Sequence, residues 1–447
     1  MRVLVLAESA HPVSQSVSWV GWAHTRALAE RHEVHLVTRS ANREAILAAG
    51  WREGRDFTAI DLDALERRIV GLASRLRGGE DKGWTTLMAL SLPLYLAFEF
   101  QAWRHFGERI AGHQFDVVHR ITPVSPTMPS FIASRCTRHA TPFVLGPVNG
   151  GLAWPPQFPE LRHAEREWLS YLRFVYRLAP YYRATREAAA AILVGSLTTY
   201  GQVPRRYVGK CIYLPENGID TGRFAAPEAS RRDSARTPRA LFVGRLVSTK
   251  ACDIALEALA PLLRESRLTF TIVGDGPERP ALEALVDRLG VRAAVAFSGR
   301  VPPDEVARHY READLFVFPS LREFGGGVVL EAMAMGVVPV VLAYGGPGEL
   351  VNEACGIGVP MDTREALVGS LRAAVTSLLE EPERRRAMAA AAQARVASRF
   401  LWERKAEQTG EVYEWVAKRR SAKPDFHFLS PAGDLSSCRP DDGSASV

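Results

Sequence analysis

The sequence predicts an α/β protein made of two doubly wound parallel-sheet domains. Three observations predict it. Short apolar runs of strand length alternate with helix-length segments at both ends of the chain, the pattern of parallel strands joined by right-handed crossovers. At 447 residues the chain exceeds one ordinary hydrophobic core. Between the halves lies "RFAAPEASRRDSARTPRA" (223–240), which has no hydrophobic period and reads as an exposed linker.

The first half opens with a strand at 2–7, a helix at 17–31 and a strand "EVHLVT", then carries a long insertion, 51–112, before the strand "FDVVHR". It is assigned to 1–222, with the linker at 223–238. From 239 to 404 the alternation is regular. Strands "RALFVG", "RLTFTIVG", "VAFSG", "LFVFP", "VPVVLA" and "GIGVP" are separated by helices at about 250–265, 278–290, 303–312 and 328–335, which makes a six-stranded doubly wound domain. A last amphipathic helix (405–420) follows, and 421–447, rich in Ser, Pro, Asp and Gly, reads as disordered. Two such domains facing each other would leave a cleft at the carboxyl ends of their strands.

Composition sets limits on the chemistry. A hydrophobic content of 47% with 24% charged residues is that of a globular protein. The net charge of +6 suits an anionic partner, and with only six lysines in the chain a lysine inside a motif is informative. Five cysteines (Cys136, Cys211, Cys252, Cys355, Cys438) are scattered without a C-x-x-C pair, and the apolar run Val3 to Ala7 is too short for a signal peptide. Reduced thiols in the cytoplasm are expected. The longest apolar stretch, 84–100, contains Pro93 and Glu99 and falls short of a membrane span.

Five turns in the second half carry the candidate chemistry. "GRLVSTK" ends a strand at Gly244 and brackets the turn with Arg245 and Lys250, where a diphosphate would meet two cations and a helix N-terminus. "GDGP" supplies a bare turn at Gly274, Asp275 and Gly276, and "SGRV" ends the next strand at Arg300 and Val301. "REFGGGVVLEAMAMG" (322–336) sets Glu323 and Glu331 eight positions apart around three glycines. It predicts a bare loop over 325–327 with helix from about Val328. "YGGPGELV" is another glycine turn into a helix. Each glycine has a geometric alternative, and Arg245 alone could be a surface ion pair.

Taken in order, G-R-L-x-x-x-K, V-G-D-G-P, E-F-G-x-x-x-x-x-E-A, G-x-x-P-V-V and G-G-x-x-E resemble the donor half of the retaining family-4 glycosyltransferases, which have the GT-B fold of two Rossmann-like domains. "LPENGID" (214–220), "FDVVHRITP", "FVLGPVNGG" and the late "FLWE" helix, which in that family crosses back to the first domain, resemble further segments. The resemblance implies that Gly244, Arg245 and Lys250 grip the diphosphate of a nucleotide-sugar donor. Glu331 would take the ribose hydroxyls and the Val328 and Val329 amides the phosphate. Glu323 with the amides of Phe324, Gly325 and Gly326 would hold the transferred sugar. Arg300 and Val301 would lie along the nucleobase, and His119 would reach the sugar from the other domain. Two structural alternatives stand beside these roles: His119 as a satisfied core histidine, and Glu323 as a cap on the following helix.

With Glu331 committed to ribose, no carboxylate pair is left for a glycosidase mechanism. The expected reaction is transfer of a hexose with retention, without cofactor or metal, onto a glycan or lipid-linked acceptor. A non-catalytic nucleotide-sugar-binding protein and a nucleotide-sugar epimerase are the alternatives. Asp61-Leu62-Asp63 reads as a helix start rather than a metal motif. Relatives carry a glycine pair after the first strand that "ESAHPVSQSVSW" lacks, which leaves Ser14, Gln15, Ser16, Asn149 and Gly150 as acceptor-side candidates. If 161–178 is helical, Arg162, Arg166, Arg173 and Arg177 form a basic stripe within about 60° opposite an apolar one. That stripe suggests an anionic membrane surface as partner at the inner face of the plasma membrane, or else a solvated helix face. Nucleic acid is not an expected partner.

Overall fold

The computed structural model describes residues 1–14, 16–68, 84–159, 161, 181–224 and 236–426. The chain divides into two compact units. The first comprises 1–151, 162–216 and 402–447, and the second 152–161 and 217–401.

The first unit is built on seven strands: β1 (Arg2–Ala7), β2 (Glu33–Arg39), β3 (Phe57–Ile60), β4 (Val117–Thr122), β5 (Phe143–Val148), β6 (Ala191–Val194) and β7 (Cys211–Tyr213), in the order β3-β2-β1-β4-β5-β6-β7. All pairings are parallel, with Val3 opposite both Val34 and Val117. Helices cover both faces of such a sheet, so its strands are mostly apolar and buried: β1 is buried from Val3 to Ala7, while β4 buries His119, Arg120 and Thr122 among apolar residues. The segment 51–112 is less of an insertion than its sequence suggests. It begins with β3, an edge strand of the sheet, and ends with the helix Trp84–Ala111, which continues through Pro93. Tyr95, Phe98, Ala102, Phe106 and Ile110 form the buried face of that helix. No described helix is long and apolar enough to cross a membrane.

The helix Trp402–Val416 belongs to the first unit, packed on the helix Val17–Ala29. Its attachment is partly polar. His24 Nε2 lies 2.9 Å from the Thr409 hydroxyl, and His119, fully buried on β4, uses both ring nitrogens. Nε2 lies 2.6 Å from the Gly146 carbonyl and Nδ1 2.6 Å from the Tyr413 hydroxyl. A neutral ring satisfies both contacts, donating from Nε2 and accepting at Nδ1. His119 is therefore a core histidine, and the expectation that it reaches a sugar is corrected: no nitrogen and no surface are left for a ligand. Lys405 is buried in the same layer and donates to the Pro215 carbonyl, with burial pushing its pKa down to about 7.

The second unit has six parallel strands, β8 (Arg239–Val243), β9 (Thr269–Val273), β10 (Val295–Gly299), β11 (Leu315–Phe318), β12 (Val338–Leu342) and β13 (Ile357–Val359), in the order β10-β9-β8-β11-β12-β13. All six strands expected from sequence are present. The unit boundaries differ from those expected. Residues 152–161 join the second unit because the Tyr344 hydroxyl donates to the Ala153 carbonyl at 2.7 Å and the Arg322 guanidinium lies 4.3 Å over the Trp154 ring. Residues 217–222 join it through Ile219, whose amide donates to the Phe400 carbonyl at 2.7 Å. Of the linker, Arg236 is fixed by two bonds to Asp314, at 2.9 and 3.1 Å. Most of 223–238, the tail beyond 426 and the basic stripe after 161 lie outside the described residues.

A buried neutral histidine predicts an acid-sensitive fold. Burial holds the His119 pKa at about 4 against an ordinary 6.5. Between those values the unfolded chain binds a proton that the fold refuses, so stability falls as pH drops from about 6.5 to 4, by up to about 3 kcal/mol from this ring. Thermal unfolding across that window should show a shallower pH slope for His119→Gln than for the wild type, whatever the variant's starting stability. Equal slopes would refute the neutral buried ring.

Candidate functional site

In a doubly wound sheet the strand order reverses at one point, and loops diverge there to leave a crevice. In the second unit that point lies between β8 and β11. Gly244 and Arg245 follow β8, and a 3-10 turn, Ser248–Lys250, leads into the helix Cys252–Arg264. The loop after β11 carries Glu323. Sequence-distant candidates thus converge because of topology. The two loops are tied by the Leu321 amide donating to the Thr249 carbonyl at 2.9 Å and by an ion pair between Lys250 and Glu323, each about one-fifth exposed. The Lys250 ammonium also stands 5.4 Å from the Phe318 ring.

Glu323 is held from both sides. One oxygen meets Lys250, and the other accepts the Gly326 amide at 3.3 Å. Burial alone would raise its pKa, but the Lys250 charge and the Gly326 and Gly325 amides outweigh burial and hold it below the usual carboxylate range. The capping alternative and the ligand-facing reading are therefore compatible. The Gly326 amide, expected to face a sugar, is occupied by Glu323 itself.

The helix begins one residue earlier than expected, as Gly327–Ala334, after Gly326 in the left-handed region at φ 61°. The Val329 amide donates to the Gly326 carbonyl at 2.9 Å, which corrects its expected role toward phosphate. The Gly327 and Val328 amides, in the first turn, have no intrahelical acceptor. The Tyr310 hydroxyl lies 3.0 Å from a Glu331 carboxyl oxygen and 3.1 Å from the Val328 carbonyl. One hydroxyl proton cannot serve both. Burial pushes the Glu331 pKa up to about 7, so a neutral carboxyl can donate to Tyr310 while Tyr310 donates to Val328. Tyr310 was invisible as a partner in the sequence, twenty-one residues upstream on another helix.

The glycine turns answer first to geometry. At Gly274 (φ 138°) a Cβ would stand 1.9 Å from the Gly244 carbonyl oxygen, and at Gly346 it would stand 2.1 Å from that of Phe324. Main chain lies directly on main chain at both places, which closes the turn after β9 on that after β8 and the turn after β12 on that after β11. Gly276 is similarly closed against Leu246. Asp275 bonds the Gly276 amide at 2.8 Å and pairs with Arg279 at 3.6 Å. Arg245 and Arg300 are exposed, and Val301 and Phe324 are partly so.

The acceptor-side candidates fare differently. The Asn149 side chain is buried and engaged, donating to Glu216 at 2.8 Å and accepting from Ser196 at 2.7 Å, so it braces its loop instead of facing a ligand. The Gly150 amide donates to the Thr199 hydroxyl at 3.0 Å. The Ser14 amide donates to His11 Nδ1 at 3.1 Å, Ser16 is exposed, and Gln15 lies outside the described residues. In the first unit's own switch crevice, the Ser9 amide donates to Thr122 at 3.1 Å and Glu8 pairs with Arg39 at 3.0 Å. Sequence reading passed over these residues because no motif marks them. The Asp61 carboxylate accepts the Asp63 amide at 2.9 Å, as a helix start would. Among the described residues no group of three or more His, Cys, Asp or Glu side chains is placed to hold a metal ion.

The backbone contact at Gly346 gives a test. Gly346→Ala should displace the Glu323–Gly325 segment and lower stability by about 1–3 kcal/mol, the scale of overpacking. An unchanged melting temperature would show that the contact yields freely.

Residues 228–395 match the family described as glycosyl transferases group 1. The chain is similar to a D-inositol 3-phosphate glycosyltransferase of Kineococcus radiotolerans, at 36% identity over 50% of this chain and 55% of that protein. It is also similar to a glycogen synthase of Mycobacterium tuberculosis, at 36% identity over 48% and 50%. The chain thus spans about half the length of these curated relatives. Its fold is similar to that of Anabaena HepE, crystallised with UDP, at a TM-score of 0.60 and 17% identity, covering 92% of this chain and 99% of that one.

Proposed function

We propose, from the match of residues 228–395 to the group 1 glycosyltransferases and from the GT-B fold, that this chain moves a hexose, with retention, from a nucleoside-diphosphate sugar to a glycan or lipid-linked acceptor. Cell-surface polysaccharide or glycolipid assembly in the cytoplasm is the setting we propose. The observation that carries the reading is the meeting of Lys250 and Glu323 at the β8/β11 switch point, beside Arg245 and the start of the Gly327–Ala334 helix.

In this reading Arg245, Lys250 and the Gly327 and Val328 amides take the diphosphate, and the scheme calls for no metal or cofactor. The acceptor hydroxyl forms a bond to the anomeric carbon on the face from which the phosphate departs. The sugar–phosphate bond breaks, and the leaving phosphate carries away the hydroxyl proton. Lys250 and Arg245 stabilise the charge that grows on that phosphate. Diphosphate binding draws Lys250 from Glu323 and frees the carboxylate for the sugar's hydroxyls. Glu331 takes the ribose hydroxyls, with Arg300 and Val301 along the base.

A calorimetric screen against UDP, GDP, ADP, TDP and their sugars tests the reading, with UDP tried first because HepE was crystallised with it. One diphosphate should bind, and Lys250→Ala should weaken it at least tenfold, as loss of a charged hydrogen bond would. Failure of every diphosphate to bind would defeat the donor site, while a product of changed sugar configuration formed without acceptor would indicate an epimerase.

The Glu331 environment adds a pH signature. Ribose hydroxyls donate best to an ionised carboxylate, and Glu331 ionises only above about pH 7. Affinity for the sugar nucleotide should therefore fall as pH drops below 7, approaching tenfold per unit. Glu331→Gln should remove that dependence; a pH-independent wild type would argue against ribose contact.

A further inference from the structure

A strip of aromatic and arginine side chains runs over the first unit and serves neither its core nor the candidate site. On the helix Trp84–Ala111, Phe100 is 56% exposed, with Trp103 and Arg104 three and four residues on along the same face. Arg135, from the helix Phe131–Arg138, places its guanidinium 5.1 Å over the Trp103 ring and 5.9 Å over the Phe131 ring. The His139 ring stacks on Trp103 at 6.1 Å, and Phe131 meets Tyr181, 51% exposed, at 5.9 Å. Phe100 and Tyr181 are the two aromatic residues among the exposed large apolar side chains of the described residues.

We propose that this strip is a docking surface for an anionic lipid bilayer. The chemistry selects that occupant in two ways. Aromatic rings with open edges are favoured at the depth of lipid headgroups, and the strip offers them at both ends. Its exposed charge is mostly positive: Arg104, Arg135 and Arg138 make no ion pair among the described residues, while Arg183 is paired with Glu187 at 3.1 Å. The ring contacts hold the Arg135 guanidinium in place, so little side-chain freedom remains to be lost on meeting a phosphate. The strip is made of residues other than 161–178, and the proposal does not depend on the donor assignment.

The experiment is flotation of the full chain with phosphatidylcholine vesicles, with and without phosphatidylglycerol, at low and high salt. Wild type should float only with phosphatidylglycerol, and less at high salt. Arg135→Ala/Arg138→Ala should lower partition about thirtyfold, from ~1 kcal/mol per arginine near an anionic surface. Phe100→Ser/Tyr181→Ser should lower it at high salt as well, where charge is screened. These side chains are exposed, so unchanged melting curves certify the fold, and Arg104→Ala carries the same test if a double variant melts early. Wild type that does not float, or double variants that float as wild type does, would overturn the proposal, as would preference for single-stranded RNA over anionic vesicles.

Discussion

A lysine and a glutamate that meet between two strand-to-helix loops hold the second unit's crevice in shape. Lys250 comes from the turn after β8 and Glu323 from the loop after β11, the strands between which the sheet reverses its order. A partly buried carboxylate beside so much bare backbone stays ionised only because an ammonium and two amides face it. Deleting either partner strands a charge in a place poorly reached by water, which costs more than the pair itself contributes.

The first unit spends its polar groups inside. His119 bonds Gly146 and Tyr413, Asn149 bonds Glu216 and Ser196, and Lys405 bonds Pro215. These bonds fasten the loops after β5, β6 and β7 and the late helix to the sheet. Such a network specifies one arrangement because every alternative leaves a buried donor or acceptor unmatched.

Local periodicity made the strands and most helices legible, since a strand covered on both faces is mostly apolar and a covering helix apolar on one side. The turns of the candidate site were legible because glycines repeated after successive strands. What escaped was long-range pairing. His119 looked available because nothing in its neighbourhood names Tyr413 as a partner, and Asn149 looked available because Glu216 is far along the chain. The 51–112 segment read as an insertion because β3 is only four residues long, too short to show a period.

The glycines at 274 and 346 decide what gives the crevice its outline. Where carbonyl oxygens of one turn rest on the α-carbons of the next, the contour of the crevice is inherited from the main chain and owes little to side-chain identity. Residues that protrude from that contour, such as Arg300 and Phe324, can be exchanged without redrawing it. A changed side chain there alters what the crevice presents while its walls stand, whereas a side chain at either glycine would have to move main chain.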